Sequence, residues 1–473
     1  MTSPSTAPST TGTAPDPTPS PFDPYQLGPI RLRNRIIKAA TFEGVMPRGA
    51  VTDELIEFHR QVAAGGAAMS TVAYCSVSMG GRVHRNTLVM RPEVTADLER
   101  LTNAVHEEGA AVSAQLGHAG MVANVHSNRA HSLAPSTRWS NPAMSIVKGA
   151  TVAQLDEVTA QFAAAATVAE NAGFDAVEIH LGHNYLPSSF LSPNLNKRTD
   201  RYGGSLENRL RFIRQIIDAV RGAVDDRVAV IAKFNMADGV ERGLWLEESL
   251  QFASMLEEDG QLDALVLTGG SSLLNGMYFF RGDVPMEEFI ATQSKVVGLG
   301  LRVLGSRIFP ELPFEEAFFL PFARQFREAL SMPLVLLGGI NRRDTIENAL
   351  DEGFEMTAMA RALLRQPDLP NLMRDEPKHH NGLCVHCNKC LPTIYSGTRC
   401  VLVNPGAPAQ LDTPPGRQLI GNHGIAYIDD PIGIVWVTRD VTVAEPAKPL
   451  DIPGLLGMLV QPGQIPRYIQ LRH

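Results

Sequence analysis

The sequence predicts a (β/α)8 barrel, and three observations carry that reading. From Leu27 onward, eight short apolar runs alternate with longer amphipathic stretches, the rhythm of strands each followed by a covering helix. A length of 473 residues suffices for one barrel-sized domain with additions. The chain also lacks an early Gly-x-Gly-x-x-Gly turn, which makes an open doubly wound sheet the weaker alternative.

Taken in order, strands are expected at Ile36–Ala40, Ala68–Tyr74, Ala110–Leu116, Asp175–His180, Val228–Phe234, Asp263–Thr268, Pro333–Gly338 and Glu355–Ala360. Each is a short, continuously apolar run, as parallel strands buried on both faces require. Helices are expected at Thr52–Ala64, Val94–Glu108, Val152–Ala172, Ser205–Ala223, Leu246–Asp259 and Arg343–Glu352. Two long insertions, Ala119–Lys148 and Ser271–Glu311, follow the third and sixth strands. Loops in those places lie on the C-terminal face, where barrels build their sites. The second insertion carries Met277, Tyr278, Phe279 and Phe280, suited to a lid or a binding wall. The expected organisation is a disordered Ser/Thr/Pro-rich tail over 1–21, a barrel over 22–375, a Cys-rich segment over 376–405 and a tail without an assigned fold over 406–473. The last stretch holds apolar pieces at Ile432–Val437 and Leu455–Val460 and is too short for a second nucleotide-binding domain.

Hydrophobic residues make up 44% of the chain and charged residues 19%, with a net charge of −8 and scattered basic residues. This argues against nucleic acid or an anionic membrane surface as a partner. No apolar run reaches membrane-spanning length and no basic-then-apolar leader opens the chain, so a cytoplasmic location is expected. A homo-oligomer is compatible with this composition.

The candidate chemistry starts at His180-Leu181-Gly182-His183-Asn184-Tyr185, directly after the fourth strand. Two imidazoles and a phenol there have no packing purpose, but can bind an oxygen atom and deliver a proton beside it. A phosphate site is readable further on. One strand ends in Gly338-Gly339 and the next in Ala360-Arg361; glycines let backbone N–H groups approach an anion, and barrels commonly hold phosphate after strands seven and eight. Gln115 ends the third strand, where its amide suits the edge of a heterocycle. Lys233 ends the fifth, where a buried ammonium needs an anion or an internal ion pair. His118 reads equally well as a satisfied loop histidine.

Together, Arg33-Asn34-Arg35, Gln115-Leu116-Gly117-His118, the His180–Tyr185 run and the block from Phe190 to Arg209 resemble the old yellow enzyme family. That family comprises FMN-dependent NADH:flavin oxidoreductases and ene-reductases on a (β/α)8 barrel. The resemblance covers roughly Phe22 to Pro370, and its most specific part is Tyr202–Arg209. It implies isoalloxazine contacts at Ala39, Ala40, Thr41, Gln115 and Lys233, with Cys75 in the second-strand loop nearby. It implies phosphate contacts at Gly338, Gly339, Ala360 and Arg361. His180 and His183 match the pair that holds a carbonyl oxygen or anion, and Tyr185 matches the proton donor. Three positions depart from the family pattern: Lys233 where arginine is usual, Ala39-Ala40-Thr41 where many members carry proline, and Asn184 where glycine is common.

Four of the five cysteines cluster as Cys384-x-x-Cys387-x-x-Cys390 and Cys400. Without an export signal, such a cluster argues for metal ligation over disulfides. Four thiolates match a [4Fe–4S] cluster or a zinc site. The text resembles the iron–sulfur branch of the same family, which includes 2,4-dienoyl-CoA reductase and trimethylamine dehydrogenase, although the nine residues between Cys390 and Cys400 are fewer than in that branch. The leading expectation is therefore an NAD(P)H-driven FMN enzyme that reduces the C=C bond of α,β-unsaturated carbonyl compounds or enoyl thioesters. Its competitors are a flavoprotein amine dehydrogenase passing electrons through a cluster to an external carrier, a non-redox phosphate-binding barrel, and a catalytically inert scaffold.

Overall fold

The computed structural model describes residues 19–403, apart from 293–294 and 377–380, and beyond them three further strands. Eight strands form the barrel: β1 Ile36–Lys38, β2 Met69–Ser76, β3 Ala111–Gly117, β4 Ala176–Leu181, β5 Ala229–Asn235, β6 Ala264–Thr268, β7 Leu334–Leu337 and β8 Met356–Met359. Every neighbour pairs in parallel and β8 returns to β1, which closes the sheet. The fold expected from the sequence rhythm is the one observed. Strand side chains alternate between two faces. One set, including Ala176, Ala229, Ile231, Val266 and Val335, fills the barrel interior. Apolar residues of the other set, among them Val177, Ala232 and Leu267, pack in the core shared with the surrounding helices.

Those helices are α1 Asp53–Ala64, α2 Thr95–Glu107, α3 Val152–Asn171, α4 Leu206–Arg221, α5 Leu246–Asp259, α6 Leu320–Ala329 and α7 Arg343–Asp351. Several start where a hydroxyl is available to cap them: Thr52 accepts from the Leu55 N–H, Thr151 forms a capping box with Gln154, and Ser205 accepts from the Asn208 N–H. Leu55, Phe162, Phe212, Phe252 and Phe326 form their buried faces. The sequence reading did not name α6, because its Phe-rich run adjoins the long insertion and blurs the helical period.

The first insertion folds into a hairpin of Arg138–Ser140 and Ser145–Gly149. The second carries two helices, Met286–Ala291 and Lys295–Ile308. The Cys-rich segment is stitched to the C-terminal face of the barrel. Thr398 donates its N–H to Glu43 O at 2.8 Å and its hydroxyl to Phe42 O, and Gly382 N–H reaches Asn341 O at 2.7 Å. Further along, Arg417–Ile420, Ile425–Asp429 and Val435–Thr438 form an antiparallel meander. Its last strand overlaps the apolar piece 432–437. The expected N-terminal tail, up to residue 18, and the piece 455–460 lie outside the described residues. Among the described residues no helix is long and apolar enough to cross a membrane.

Candidate active site

The register of β3, β4 and β5 assembles the site. His180 sits opposite Lys233, and Glu178 opposite Gln115. Glu178 and His180 are two apart on one strand and so share the inward face. The Glu178 carboxylate accepts from Gln115 Nε2 at 2.6 Å and from Lys233 Nζ at 3.1 Å, with all three side chains buried. Gln115 and Lys233 are thus fixed in place by an acid that the sequence reading did not single out. A signal was available, since one acidic residue interrupts the apolar run of β4 before His180.

Above this layer the chain turns sharply. His183 and Asn184 both adopt the left-handed conformation, at φ 59° and 58°. Glycine tolerates this best and asparagine next. Asn184 is then locked by donating to Asp238 Oδ1 at 2.8 Å. Asp238 also accepts from Asn235, Ser192 and the Leu244 N–H, which ties the loops after β4 and β5 together. The turn brings the rings into one group. His180 lies 5.2 Å from His183 and 4.4 Å from Tyr185, centroid to centroid. Tyr74, from β2, stands 5.3 Å from Tyr185 and donates to Gly81 O at 3.1 Å. His183 shares a hydrogen bond with Thr268 Oγ1 at 3.0 Å and stacks on Phe279 at 4.3 Å. The aromatic run of the second insertion thus forms one wall of the site.

Burial keeps both imidazoles neutral. It drives His180 well below the ordinary histidine range, helped by His183 and Lys233, and drives His183 down to about 3, helped by Lys233. Neutral imidazoles still present an N–H donor. His180 Nδ1 is buried without a hydrogen-bond partner, which leaves a polar group available to a ligand. Burial also holds the Tyr74 phenol well above its usual value. His118 is satisfied locally, accepting from the Gly120 N–H at 3.1 Å.

The places proposed for FMN fit such a group in most respects. Ala39 is buried at the end of β1, and its carbonyl accepts from Lys38 Nζ at 2.8 Å. Thr41 accepts from Lys38 Nζ at 2.9 Å and donates to Glu43 at 3.1 Å; Ala40 lies between these two residues. Gly338 and Gly339 have φ of 113° and 77°, and a Cβ at either would collide with Phe319 or Phe318. The Gly339 and Ala360 N–H groups have no protein acceptor among the described residues.

One expectation needs correction. Cys75 is not in a loop; it lies inside β2, fully buried, with burial pushing its thiol up. The Arg361 guanidinium also has partners in the protein. It hydrogen-bonds Asn388 Oδ1 and Arg281 O and lines a cavity with Cys384, Cys387, Cys390 and Cys400. The fold draws it toward the Cys-rich segment, which the local sequence around Arg361 could not reveal. Among the described residues, no group of three or more His, Cys, Asp or Glu side chains is arranged to hold a single metal ion.

Residues 20–268 match the model of the NADH:flavin oxidoreductase / NADH oxidase family. The chain belongs to that family and is an FMN-dependent oxidoreductase. It is 67% identical over 386 residues to a 4,4'-dithiodibutanoate disulfide reductase of Rhodococcus erythropolis, covering 82% of this chain and 96% of that one. It is 33% identical to a metal reductase of Desulforamulus reducens, over 86% of this chain and 58% of the relative. Among solved structures, a 2-naphthoyl-CoA reductase superposes with a TM-score of 0.70 at 23% identity, over 82% of this chain and 57% of its own. Morphinone reductase superposes at 0.58 and 23%, over 75% and 90%. At these identities the two structures speak to the fold alone.

Proposed function

We propose that this chain is an NAD(P)H-driven FMN reductase of small organic disulfides, cleaving RSSR with NAD(P)H and H⁺ to two thiols and NAD(P)⁺. The observation that carries a reductive site is the trio at the mouth of the barrel: neutral His180, buried, with neutral His183 and Tyr185, both half-buried. The choice of acceptor is supported by the high identity to the Rhodococcus disulfide reductase over nearly its whole length. Bound FMN supplies the hydride. Ala39, Ala40, Thr41, Gln115 and Lys233 would hold its ring, and Gly338, Gly339 and Ala360 its phosphate. His180 and His183 donate hydrogen bonds to the atom that gains negative charge. Tyr185 places a proton donor beside them.

A second acceptor, the C=C bond of an α,β-unsaturated carbonyl, is favoured by the same trio, because an enolate needs both an oxygen-binding donor pair and a proton at carbon. Assays of NADH oxidation with 4,4'-dithiodibutanoate and with 2-cyclohexenone test both readings. Turnover of the disulfide with release of two thiols per NADH supports the first; turnover of the enone alone replaces it with the second.

The cysteine cavity supports a [4Fe–4S] assignment. Cys384, Cys387, Cys390 and Cys400 line one cavity, and four thiolates are the ligand number of a [4Fe–4S] cluster, with a four-cysteine zinc site as the alternative. Such a cluster would connect the flavin to an external electron carrier. Iron and acid-labile sulfide analysis of anaerobically purified protein tests it, and their absence rejects it.

A further inference from the structure

A cavity of about 450 Å³ opens on the C-terminal face between the hairpin after β3 and the loops after β4 and β6. Its walls carry Arg138, Trp139, Asn141, Asn194 and Lys197, and its lining includes two cations and no acid. In a chain of net charge −8 this is a local reversal of sign. Among the described residues neither cation is neutralised. Arg138 touches only neutral acceptors, the backbone and side-chain oxygens of Asn194 at 3.4 and 3.3 Å. Lys197 Nζ donates to Pro193 O at 2.6 Å. Among the described residues no carboxylate lies within ion-pair distance of either.

The cavity also adjoins the reactive group. Leu195, Leu273 and Leu274 line it and belong to the apolar cluster that packs on Tyr185. The neighbouring Ser272 N–H holds His183 O at 3.0 Å. An anion seated at Arg138 and Lys197 would therefore set the rest of its molecule along the apolar cluster that packs on Tyr185. The exposed Trp139 ring, 53% accessible, offers a shelf for an aliphatic spacer.

We propose that this cavity binds the carboxylate of the acceptor substrate, and so selects acceptors that carry an anion a few carbons from the reducible bond. The inference rests on the reductase reading above but concerns a separate binding event. The chemistry recognised is an anion, and the phosphates of NAD(P)H are its other source.

The test uses the holoenzyme and two substitutions, Arg138→Gln and Lys197→Gln, with Arg138→Lys and Lys197→Arg as charge-preserving controls. Binding of decanedioate, a dicarboxylate with methylenes in place of both sulfurs, is measured by calorimetry, independently of turnover. The KM for NADH and for NADPH, and turnover of 4,4'-dithiodibutanoate against its dimethyl ester, are measured alongside. The expected result is decanedioate affinity lowered about 10-fold or more by each Gln variant, as loss of a charged hydrogen-bond donor predicts. The controls keep the affinity, the pyridine-nucleotide KM values do not change, and the ester loses the wild-type advantage of the acid. Decanedioate binding that depends on both cations sustains the site even if the disulfide is not turned over. Unchanged decanedioate affinity in the Gln variants, or an effect confined to NADH or NADPH, overturns the proposal.

Discussion

At the scale of single residues, the site separates the work of binding from the work of protonation. His180 and His183 are neutral because the protein buries them beside each other and near Lys233. With both far below the usual range, acceptor binding should be flat between pH 5 and 8; a transition in acceptor affinity near pH 6.5 would show that one imidazole titrates. Tyr185 distinguishes the two acceptors. A departing thiolate leaves as a stable anion and can take its proton from solvent, whereas an enolate carbon must be protonated in place. Tyr185→Phe should therefore slow enone reduction about 100-fold or more while disulfide cleavage falls less than about 10-fold and flavin reduction by NADH stays intact. Equal losses in all three reactions, followed by stopped flow, would remove the proton-donor role. Tyr185 and the two histidines were legible in the sequence because nothing in packing explains them. Tyr74 was not, since an aromatic ending an apolar strand reads as core until the fold sets it beside Tyr185.

At the scale of elements, strand register is what makes the site. Glu178 holds Gln115 and Lys233 because three neighbouring strands align, and an adjacent pair of strands shifted by one residue would turn these side chains outward. The sequence shows each strand but not its offset from the next, which is why Glu178 escaped notice while Gln115 and Lys233 did not. Removing the acid alone strands a buried ammonium. Glu178→Leu should cost about 3–5 kcal/mol of stability and loosen FMN retention, whereas Glu178→Gln should retain more of both. Chemical denaturation and flavin content after gel filtration check this; a Glu178→Leu protein as stable as the parent would show that Lys233 finds another partner. The loop after β5 teaches the same lesson. Asp238 reads as an ordinary turn residue before glycine, yet it gathers Asn184, Ser192, Asn235 and Leu244 into one buried knot.

At the scale of the whole molecule, the barrel was readable from alternation alone, because parallel strands and covering helices leave a regular apolar period. The placement of the Cys-rich segment was not. Its contacts with residues 42–44 and with Asn341 join parts of the chain far apart in sequence, and only the closed barrel brings them to one face. Burial of neutral histidines also sets the stability of the molecule against acid. His59, His118, His180 and His183 are all held below their ordinary range, His118 at about 4. Their unfolded forms protonate near pH 6.5, so their contribution is complete above that pH and is lost as pH falls, by about 1.4 kcal/mol per unit for each. His84 and His386, each lowered to about 4, act with them, whereas Glu43, raised to about 7, acts in the opposite sense, as do Asp238, Glu54, Glu316 and Asp218, raised by burial, and His106, raised by its bond to Asp175. Denaturation at pH 7.5, 6 and 5 should show falling stability; a rise toward pH 5 would contradict the buried neutral state. The most direct measurement of all is an anaerobic titration: the protein is bleached with one equivalent of NADH, then given 4,4'-dithiodibutanoate while flavin absorbance and free thiol are followed. The expected result is return of the oxidised flavin spectrum with two thiols released per flavin. A flavin that stays reduced in the presence of the disulfide, yet reoxidises with 2-cyclohexenone, would contradict the disulfide assignment.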